Sequence, residues 1–303
     1  MDTKSEIIMD IDSIPFPNYD FLNDKDIDTY LTKLGSARGM NNIRALPIIT
    51  TRGCPKLCTF CASHTVHGRT IRARSLNNIY DEIEFIKTRF QINTLLIYDD
   101  LFNYNKQRTI DFCEEAIKRK WDLDIEFISG LGMWALDEIV IDKLVKAGAS
   151  VINLPIESGS PYVQKHIIKK NLNLEHCHTI AEVISRYPEV QRRAFYVLGS
   201  PGEQKEHIRE TMEYAKSLNV DWSNFYMAMP LPGSNIFEEC VSLGYIDRDN
   251  YYEDFGVDYF SRSFDTQEFS KTELTNIVSD LNVMTNFIYN KNIENKNYNK
   301  VLP

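Results

Sequence analysis

The sequence lacks any run of about 18 consecutive apolar residues, which excludes a transmembrane helix. The N-terminal segment 1–6 has neither the basic start nor the apolar core of a secretion signal. Basic residues are not in excess, because 34 lysines and arginines stand against 43 aspartates and glutamates and give a formal net charge of −9. Nucleic-acid binding generally needs a basic footprint, which this balance does not supply. These absences predict a soluble, cytoplasmic protein that binds neither membranes nor nucleic acid.

Cysteine is also scarce, with six in 303 residues. Small secreted proteins use cysteines in disulfide frameworks, but a chain of this length can build a hydrophobic core without them. Three of the cysteines lie within eight residues and three are scattered: Cys54, Cys58 and Cys61 are grouped, whereas Cys113, Cys177 and Cys240 stand alone. In a reducing compartment such a group indicates metal ligation or catalysis, and the isolated cysteines indicate small buried side chains.

From about residue 46, short apolar runs alternate with stretches of helical periodicity. Continuous apolar runs are typical of strands that are buried on both faces of a parallel sheet. The six predicted strands are 46–49, 94–98, 125–128, 151–156, 194–198 and 222–227. The sequence therefore predicts an α/β fold with a parallel sheet, either open or curled into a barrel.

Between the predicted strands, apolar residues recur with the i, i+3, i+4, i+7 spacing of amphipathic helices. A further helix is predicted after a capping box at 270–273. The expected apolar faces are Ile79, Ile83, Ile86 and Phe90; Ile110, Cys113 and Ile117; Cys177, Ile180, Ala181 and Ile184; and Leu274, Ile277, Val278, Leu281, Met284 and Ile288.

Three regions are expected along the chain. Residues 1–45 are a lead-in or linker, in which Pro15 and Pro17 impose extended backbone. Residues 46–235 are the α/β core. Residues 236–303 are a helical C-terminal extension whose Asn- and Lys-rich tail, from residue 291 onward, is expected to fray.

The segment 50–61, Thr-Thr-Arg-Gly-Cys-Pro-Lys-Leu-Cys-Thr-Phe-Cys, directly follows the first predicted strand. Three thiolates on a short loop can converge on one inorganic centre. Iron–sulfur clusters normally take four cysteines, so a cubane held by three would leave one iron free for a substrate or cofactor. The alternative is a zinc site that His64 or His67 completes as the fourth ligand.

The spacing Cys54-x3-Cys58-x2-Cys61, with Phe60 before the last cysteine, resembles the signature of the radical S-adenosylmethionine (SAM) superfamily. The resemblance implies a partial (β/α)6 TIM-like barrel. It also implies that the three cysteines are both the metal ligands and the catalytic centre, holding a 4Fe-4S cluster whose fourth iron chelates SAM. An electron from that cluster would cleave SAM to methionine and a 5′-deoxyadenosyl radical.

By the same resemblance, the ends of two later strands contact SAM. Asp99 and Asp100 stand where members of the superfamily often have Gly-Gly-Glu, and their carboxylates would accept from the methionine ammonium. Glu157 and Ser158 would hold the ribose diol. The alternative for both pairs is that they cap the helices that follow.

The adenine of SAM is expected near Phe60, Gly199 and Pro232, since the last two lie in glycine- and proline-containing turns after the fifth and sixth strands. Arg69, Arg72 and Arg74 follow the cysteines and would hold a carboxylate or phosphate of a substrate. A solvated charged face is the alternative for these arginines.

The chain as a whole is similar to the cobalamin-dependent radical SAM proteins, which include methyltransferases and ring-forming cyclases. Those proteins usually carry a cobalamin domain ahead of the barrel. No such domain is expected within this sequence, and none of its six histidines has the Asp-x-His-x-x-Gly context of a cobalamin ligand. Cobalamin would therefore come only from a partner chain or a missing domain, and the alternative is that the enzyme works without it.

The resemblance implies hydrogen abstraction from a small organic substrate, ending in methylation or ring formation. An electron donor such as flavodoxin or ferredoxin, and a cobalamin-binding partner, are the expected protein partners. Two alternatives stay open, namely radical SAM modification of RNA or of a protein or peptide, and a non-enzymatic metal or electron-transfer module. The acidic balance of the chain disfavours RNA.

Overall fold

The computed structural model describes residues 7–19, 24–33, 43–251 and 264–290. Helices α1 to α9 are Asp24–Lys33, Ser63–His67, Leu76–Phe90, Lys106–Arg119, Glu138–Lys146, Leu174–Ser185, Lys205–Ser217, Asn235–Ser242 and Lys271–Val283. Strands β1 to β8 are Ala45–Ile48, Thr51–Arg52, Arg72–Ala73, Thr94–Ile97, Asp124–Phe127, Ala149–Glu157, Gln191–Leu198 and Trp222–Met227. Short 3₁₀ turns at Ile11–Ser13 and Met133–Ala135 and π-helical turns at Val163–Ile167 and Met284–Ile288 complete these elements.

The six predicted strands are confirmed, with small shifts at their ends. They are hydrogen-bonded neighbours in the order β1-β4-β5-β6-β7-β8. The pairings of β1 with β4, β4 with β5 and β7 with β8 are all parallel. The remaining two strands, β2 and β3, form a separate antiparallel hairpin that pairs Thr51 with Ala73. Helices separate the parallel strands along the chain, as the sequence predicts.

The chain divides into two compact units. The described residues up to Pro55, together with His67–Ile152, belong to the first unit. Lys56–Val66 and the described residues from Asn153 onward belong to the second unit. The chain passes from the first unit to the second within β6. The predicted boundaries at 45/46 and 235/236 stay predictions.

In the first unit, the lead-in is attached to the α/β core. The Asp12 carboxylate accepts a hydrogen bond from the Ser75 N–H at 2.9 Å, and the Tyr19 hydroxyl donates to Glu82 at 3.0 Å. Helix α1, which the sequence analysis missed, buries Ile27 and Leu31. The described part of this segment thus contacts the α/β core, and its designation as a lead-in or linker stays a prediction.

The predicted apolar face of α3 is confirmed, since Ile79, Ile83, Ile86 and Phe90 are all buried. The face predicted for α4 is wrong in part, because Ile117 is 39% exposed. The buried residues of α4 are Thr109, Phe112, Cys113 and Ala116. The physical reason is that Phe112 is the large apolar side chain of α4. Its ring lies 5.2 Å from that of Phe102, and burial of this ring determines which face of the helix is buried.

In the second unit, α9 closes the free edge of β8. Asn282 accepts from the Phe225 N–H at 3.0 Å and donates to the Phe225 carbonyl at 2.9 Å. Asn286, one helical turn further on, accepts from the Ser223 N–H and donates to its carbonyl, both at 2.7 Å. Two amide side chains thus replace the hydrogen bonds that a neighbouring strand would make.

The capping box is confirmed on its N-cap side, because the Ser270 side chain accepts from the Glu273 N–H. The predicted apolar stripe holds through Leu281 but fails at its end, where Ile288 is 65% exposed. The cause is the π-helical turn at Met284–Ile288, which carries Thr285 and Asn286 to the buried side. The expectation that the tail frays from residue 291 onward concerns residues outside the described part of the chain.

We expect replacement of Asn286 by leucine to lower the free energy of unfolding by about 2 kcal/mol, because the backbone N–H and carbonyl of Ser223 would stay buried without partners. Urea denaturation followed by circular dichroism measures this change. The exposed Asn276 of the same helix, changed to leucine, is the matched control. Equal stability of the two variants would contradict the edge-closing role.

Candidate active site

The loop that carries the grouped cysteines starts and ends on the β2–β3 hairpin of the first unit. The Cys54 N–H donates to the Gly68 carbonyl at 3.3 Å. Gly53 has a φ of +92°, and a Cβ placed on it would lie 2.3 Å from the Thr70 carbonyl oxygen. Only glycine fits that position, so the residue before Cys54 holds the two ends of the loop in close contact.

Asp100 links the same two ends from the strand next to β1. Its Oδ2 accepts from the Gly53 N–H at 3.2 Å and lies 2.8 Å from Nδ1 of His67. Its other oxygen, Oδ1, has no hydrogen bond among the residues that the structure describes. Asp100 therefore fixes the loop with one oxygen and presents the other.

Asp99 is buried and points to the first strand. Its carboxylate accepts from the Thr50 N–H at 2.6 Å, from the Thr50 hydroxyl and from the Thr51 hydroxyl at 2.9 Å. Burial raises the pKa of Asp99, and these hydrogen bonds act in the opposite direction. The contacts favour a role in joining β4 to the end of β1. The alternative of a helix cap is wrong for both aspartates, because the cap of α4 is Asn105.

The middle of the loop belongs to the second unit, where Thr59 anchors it. The Thr59 N–H donates to the Ile168 carbonyl at 3.1 Å, and its hydroxyl donates to the Ile167 carbonyl at 3.0 Å. Its own carbonyl accepts from the Ile236 N–H at the start of α8. The neighbouring Phe60 packs against a buried cluster made of Ala228, Ile236, Cys240 and Phe264.

The six cysteines fall into two environments, as predicted. Cys54, Cys58 and Cys61 are half-buried and form no disulfide, whereas Cys113, Cys177 and Cys240 are buried. Burial raises the pKa of Cys113 to about 12 and that of Cys177 to about 11. Cys58 and Cys61 are close in the second unit, where the Cys61 N–H donates to the Cys58 carbonyl at 3.2 Å. Cys54 belongs to the first unit.

No group of three His, Cys, Asp or Glu side chains is arranged to hold a metal ion among the residues that the structure describes. The convergence of the three thiols therefore stays a prediction. The zinc alternative stays open for His67, since its Nδ1 is engaged with Asp100 and its Nε2 remains for a metal, an arrangement common among metal-binding histidines.

Glu157 lies at the end of β6 in an unusual backbone conformation. Its φ is +70°, in the left-handed region that a residue with a side chain rarely adopts. Its carboxylate accepts from Nζ of Lys170 at 2.7 Å, and the same Nζ donates to the Pro155 carbonyl at 2.5 Å. Such strain is often found at functional sites. Sequence reasoning missed Lys170, because a partner 13 residues away leaves no local pattern.

Ser158 is fully buried and its hydroxyl is engaged. It lies 3.0 Å from the Thr211 hydroxyl of α7 and accepts from the Ser160 N–H at 3.1 Å. Beside it, Gly159 passes so close to Tyr214 that a Cβ would lie 2.3 Å from the Tyr214 Cβ. These contacts favour a role for Ser158 in joining the end of β6 to α7.

Gly199 and Pro232 both lie in tight turns of the second unit. Gly199 has a φ of +82°, and its N–H donates to Glu203 at 2.6 Å. Pro232 is half-exposed and precedes Gly233, where a Cβ would lie 2.4 Å from the methyl group of Thr65. The Pro232 turn therefore packs against the segment that follows Cys61.

Two of the three arginines after the loop have partners within the first unit. Arg72 is buried and donates to the carbonyls of Ile8 and His67 at 2.8 and 2.7 Å. Arg74 forms an ion pair with Glu82 at 2.5 Å. The hypothesis that these two arginines hold a substrate anion is therefore not supported, and a solvated charged face does not describe them either.

The Radical SAM superfamily model matches residues 48–215, more than half of the chain, so the chain belongs to the radical SAM superfamily. It is an enzyme of that class, and membership implies a 4Fe-4S cluster and SAM as cofactors.

Among curated relatives, the chain is similar to the cytidylyl-2-hydroxyethylphosphonate methyltransferase of Streptomyces wedmorensis, with 28% identity over 251 residues that cover 78% of this chain and 45% of that protein. It is also similar to the anaerobic magnesium-protoporphyrin IX monomethyl ester cyclase of Rubrivivax gelatinosus, with 28% identity over 204 residues, 66% of this chain and 35% of that protein. The chain spans about half the length of the curated relatives it matches, or less.

Among solved structures, the chain resembles the radical SAM methyltransferase TsrM of Kitasatospora setae, solved with cobalamin and a [4Fe-4S] cluster bound. The TM-score is 0.58 at 19% identity, over 65% of this chain and 39% of that one. This likeness shows the fold alone. The predicted fold class, the partial (β/α)6 barrel of the radical SAM type, is thereby confirmed. Within the described ranges, no helix combines the length and apolar character that crossing a membrane requires.

The donor set fits the implied cluster. Iron–sulfur clusters bind cysteine thiolates, and the three loop thiols are half-buried and outside any disulfide, while the other three are buried. The loop is polar and attached at Gly53, Thr59 and His67, so its backbone is fixed on both sides of the cysteines.

We expect Asp100→Ala to increase amide hydrogen exchange at Gly53 by about tenfold, because the N–H loses a charged acceptor. Mass spectrometry of exchanged, digested protein measures the change. The exposed Asp81, changed to alanine, is the control and should leave exchange at Gly53 unaltered. Unchanged exchange in Asp100→Ala would show that its carboxylate does not hold the loop.

We expect iodoacetamide at pH 8 to alkylate the apoprotein first at Cys54, Cys58 and Cys61. At that pH, a thiol of pKa about 12, such as Cys113, has about one part in ten thousand as thiolate, and Cys177 is similarly suppressed. Peptide mapping over time measures the order of reaction. Cys113 or Cys177 reacting as fast as the loop cysteines would contradict the assignment of two environments.

Proposed function

We propose that Cys54, Cys58 and Cys61 bind a 4Fe-4S cluster and leave one iron to the amino and carboxylate groups of SAM. The observation that carries this proposal is the attached loop with its three half-buried thiols, none of which is in a disulfide. When bound and reduced, the cluster supplies the electron that cleaves SAM to methionine and a 5′-deoxyadenosyl radical, which abstracts hydrogen from a small organic substrate. The electron comes from a donor protein such as flavodoxin or ferredoxin.

Asp100 is proposed to act at both the loop and the methionine end of SAM. Its Oδ2 holds Gly53, and its Oδ1 is available to accept from the SAM ammonium. Asp99 is proposed as a positioning residue, because both of its oxygens are engaged by Thr50 and Thr51. In this proposal only Asp100, and not Asp99, accepts a hydrogen bond from the SAM ammonium.

Glu157 is proposed to accept from the ribose hydroxyls of SAM. The pairing with Lys170 fixes one oxygen of the carboxylate, while the left-handed backbone sets the direction of the side chain. Ser158 is proposed as a positioning residue that attaches this strand end to Thr211. The adenine is proposed to lie near Phe60, Gly199 and Pro232.

The reaction outcome is proposed to be methylation or ring formation. The support is that a methyltransferase and a ring-forming cyclase are among the relatives of the chain. Cobalamin enters the proposal only as a group supplied by a partner chain or by a domain outside this sequence, since no histidine has the context of a cobalamin ligand. The acidic net charge keeps a small organic molecule ahead of RNA as the substrate.

We expect the full chain, reconstituted anaerobically with iron and sulfide and given SAM and a strong reductant, to form 5′-deoxyadenosine and methionine. Cys58→Ala should form neither, because the cluster would lose one of its three protein ligands. Liquid chromatography with mass spectrometry measures both products. Cys113→Ala removes a buried thiol outside the loop and should retain activity. Deoxyadenosine from Cys58→Ala, or none from cluster-loaded wild type, would contradict the proposal.

A further inference from the structure

The first unit contains a cavity of about 580 Å³ beside β1. Its walls are mostly apolar and come from two parts of the chain. The lead-in contributes Ile11, Ile14 and Phe16, and the first strand and its end contribute Ile48 and Ile49. This volume lies within the range of about 300–1,000 Å³ that small-molecule sites occupy.

Two of the polar groups in the cavity wall neutralise each other. Arg74 forms an ion pair with Glu82 and also donates to the side chain of Asn78. Glu82 accepts in addition from the Tyr19 hydroxyl at 3.0 Å. These groups therefore have neither net charge nor free hydrogen-bonding capacity to offer a ligand.

Arg52, also in the wall, differs from the other arginines of this unit. It is half-buried, and its guanidinium makes no hydrogen bond or ion pair within the part of the chain that the structure describes. By contrast, Arg44 pairs with Asp28, Arg72 donates to two carbonyls, and Arg108 donates to the carbonyl of Arg74. A partly desolvated guanidinium without a partner is costly, so an anion would be stabilised beside it.

Tyr98 adds a second donor to the same cavity. The residue is 41% exposed, and its hydroxyl makes no hydrogen bond to any described residue. A guanidinium only donates, and a phenol can donate as well. The cavity therefore combines apolar walls with the Arg52 guanidinium and the Tyr98 hydroxyl, neither of which has a hydrogen-bond partner among the described residues.

We propose that this cavity binds an apolar organic monocarboxylate, with the carboxylate on the Arg52 guanidinium and the Tyr98 hydroxyl and the hydrocarbon part against the isoleucine walls. The fork of a guanidinium matches a carboxylate with two parallel hydrogen bonds. One positive charge balances one carboxylate but not a phosphate dianion. The site does not depend on the proposed function, because binding there requires neither the cluster nor SAM.

Equilibrium binding to the full chain, without iron, SAM or reductant, tests the proposal. The probes are 2-naphthoate and the uncharged 2-naphthalenemethanol, and isothermal titration calorimetry measures both dissociation constants. We expect naphthoate to bind wild type at least ten times more tightly than the alcohol. Arg52→Gln should lose about tenfold in affinity for naphthoate and leave affinity for the alcohol unchanged. Arg89→Gln, an exposed arginine outside the cavity, is the matched control.

Two further variants locate the ligand. Ile14→Trp fills the cavity and should abolish binding of both probes, and Tyr98→Phe should weaken only naphthoate, by severalfold. Circular dichroism confirms that each variant is folded. If Arg52→Gln does not fold, the naphthoate affinities of Tyr98→Phe and Ile14→Trp test the proposal instead. Absence of naphthoate binding to wild type, equal naphthoate affinity for wild type and Arg52→Gln, or undiminished binding to Ile14→Trp would overturn the proposal.

Discussion

The Asp100 carboxylate holds together the two ends of the cysteine loop, and the candidate site depends on this interaction. A loop with three thiols could adopt many conformations, and ordering it costs backbone entropy for each residue. Asp100 contacts Gly53 and His67, and Thr59 contacts Ile167 and Ile168. These hydrogen bonds offset part of the entropy cost when the chain folds. The protein thus limits the freedom of the loop before any metal is present.

Polar residues at the carboxyl ends of the strands divide into two kinds. Asp99 and Ser158 are buried, with their oxygen atoms engaged by neighbouring elements. Asp100 and Glu157 each use one oxygen within the protein. A residue with one engaged and one available oxygen is well oriented for a ligand, because its rotamer is fixed in advance.

Periodicity and motif spacing predicted most of the fold and the location of the cysteine loop. All six parallel strands could be found because a strand buried on both faces leaves a continuous apolar run. The face of α4 could not, since aliphatic spacing overlooked the dominant ring of Phe112. The pairing of Arg74 with Glu82, and of Lys170 with Glu157, likewise depends on tertiary contacts that no local pattern records. Sequence reasoning thus placed the site but could not separate ligand-facing from anchoring side chains within it.

Asn282 on α9 and Asn286 in the π-helical turn that follows it have a consequence for solubility. The last strand of a sheet ordinarily presents a row of unsatisfied amide and carbonyl groups, which can recruit an extended segment from another molecule. At Ser223 and Phe225 these groups are already occupied by Asn286 and Asn282. The helical segment therefore covers the edge of the sheet at β8 and prevents a strand of another molecule from pairing with it.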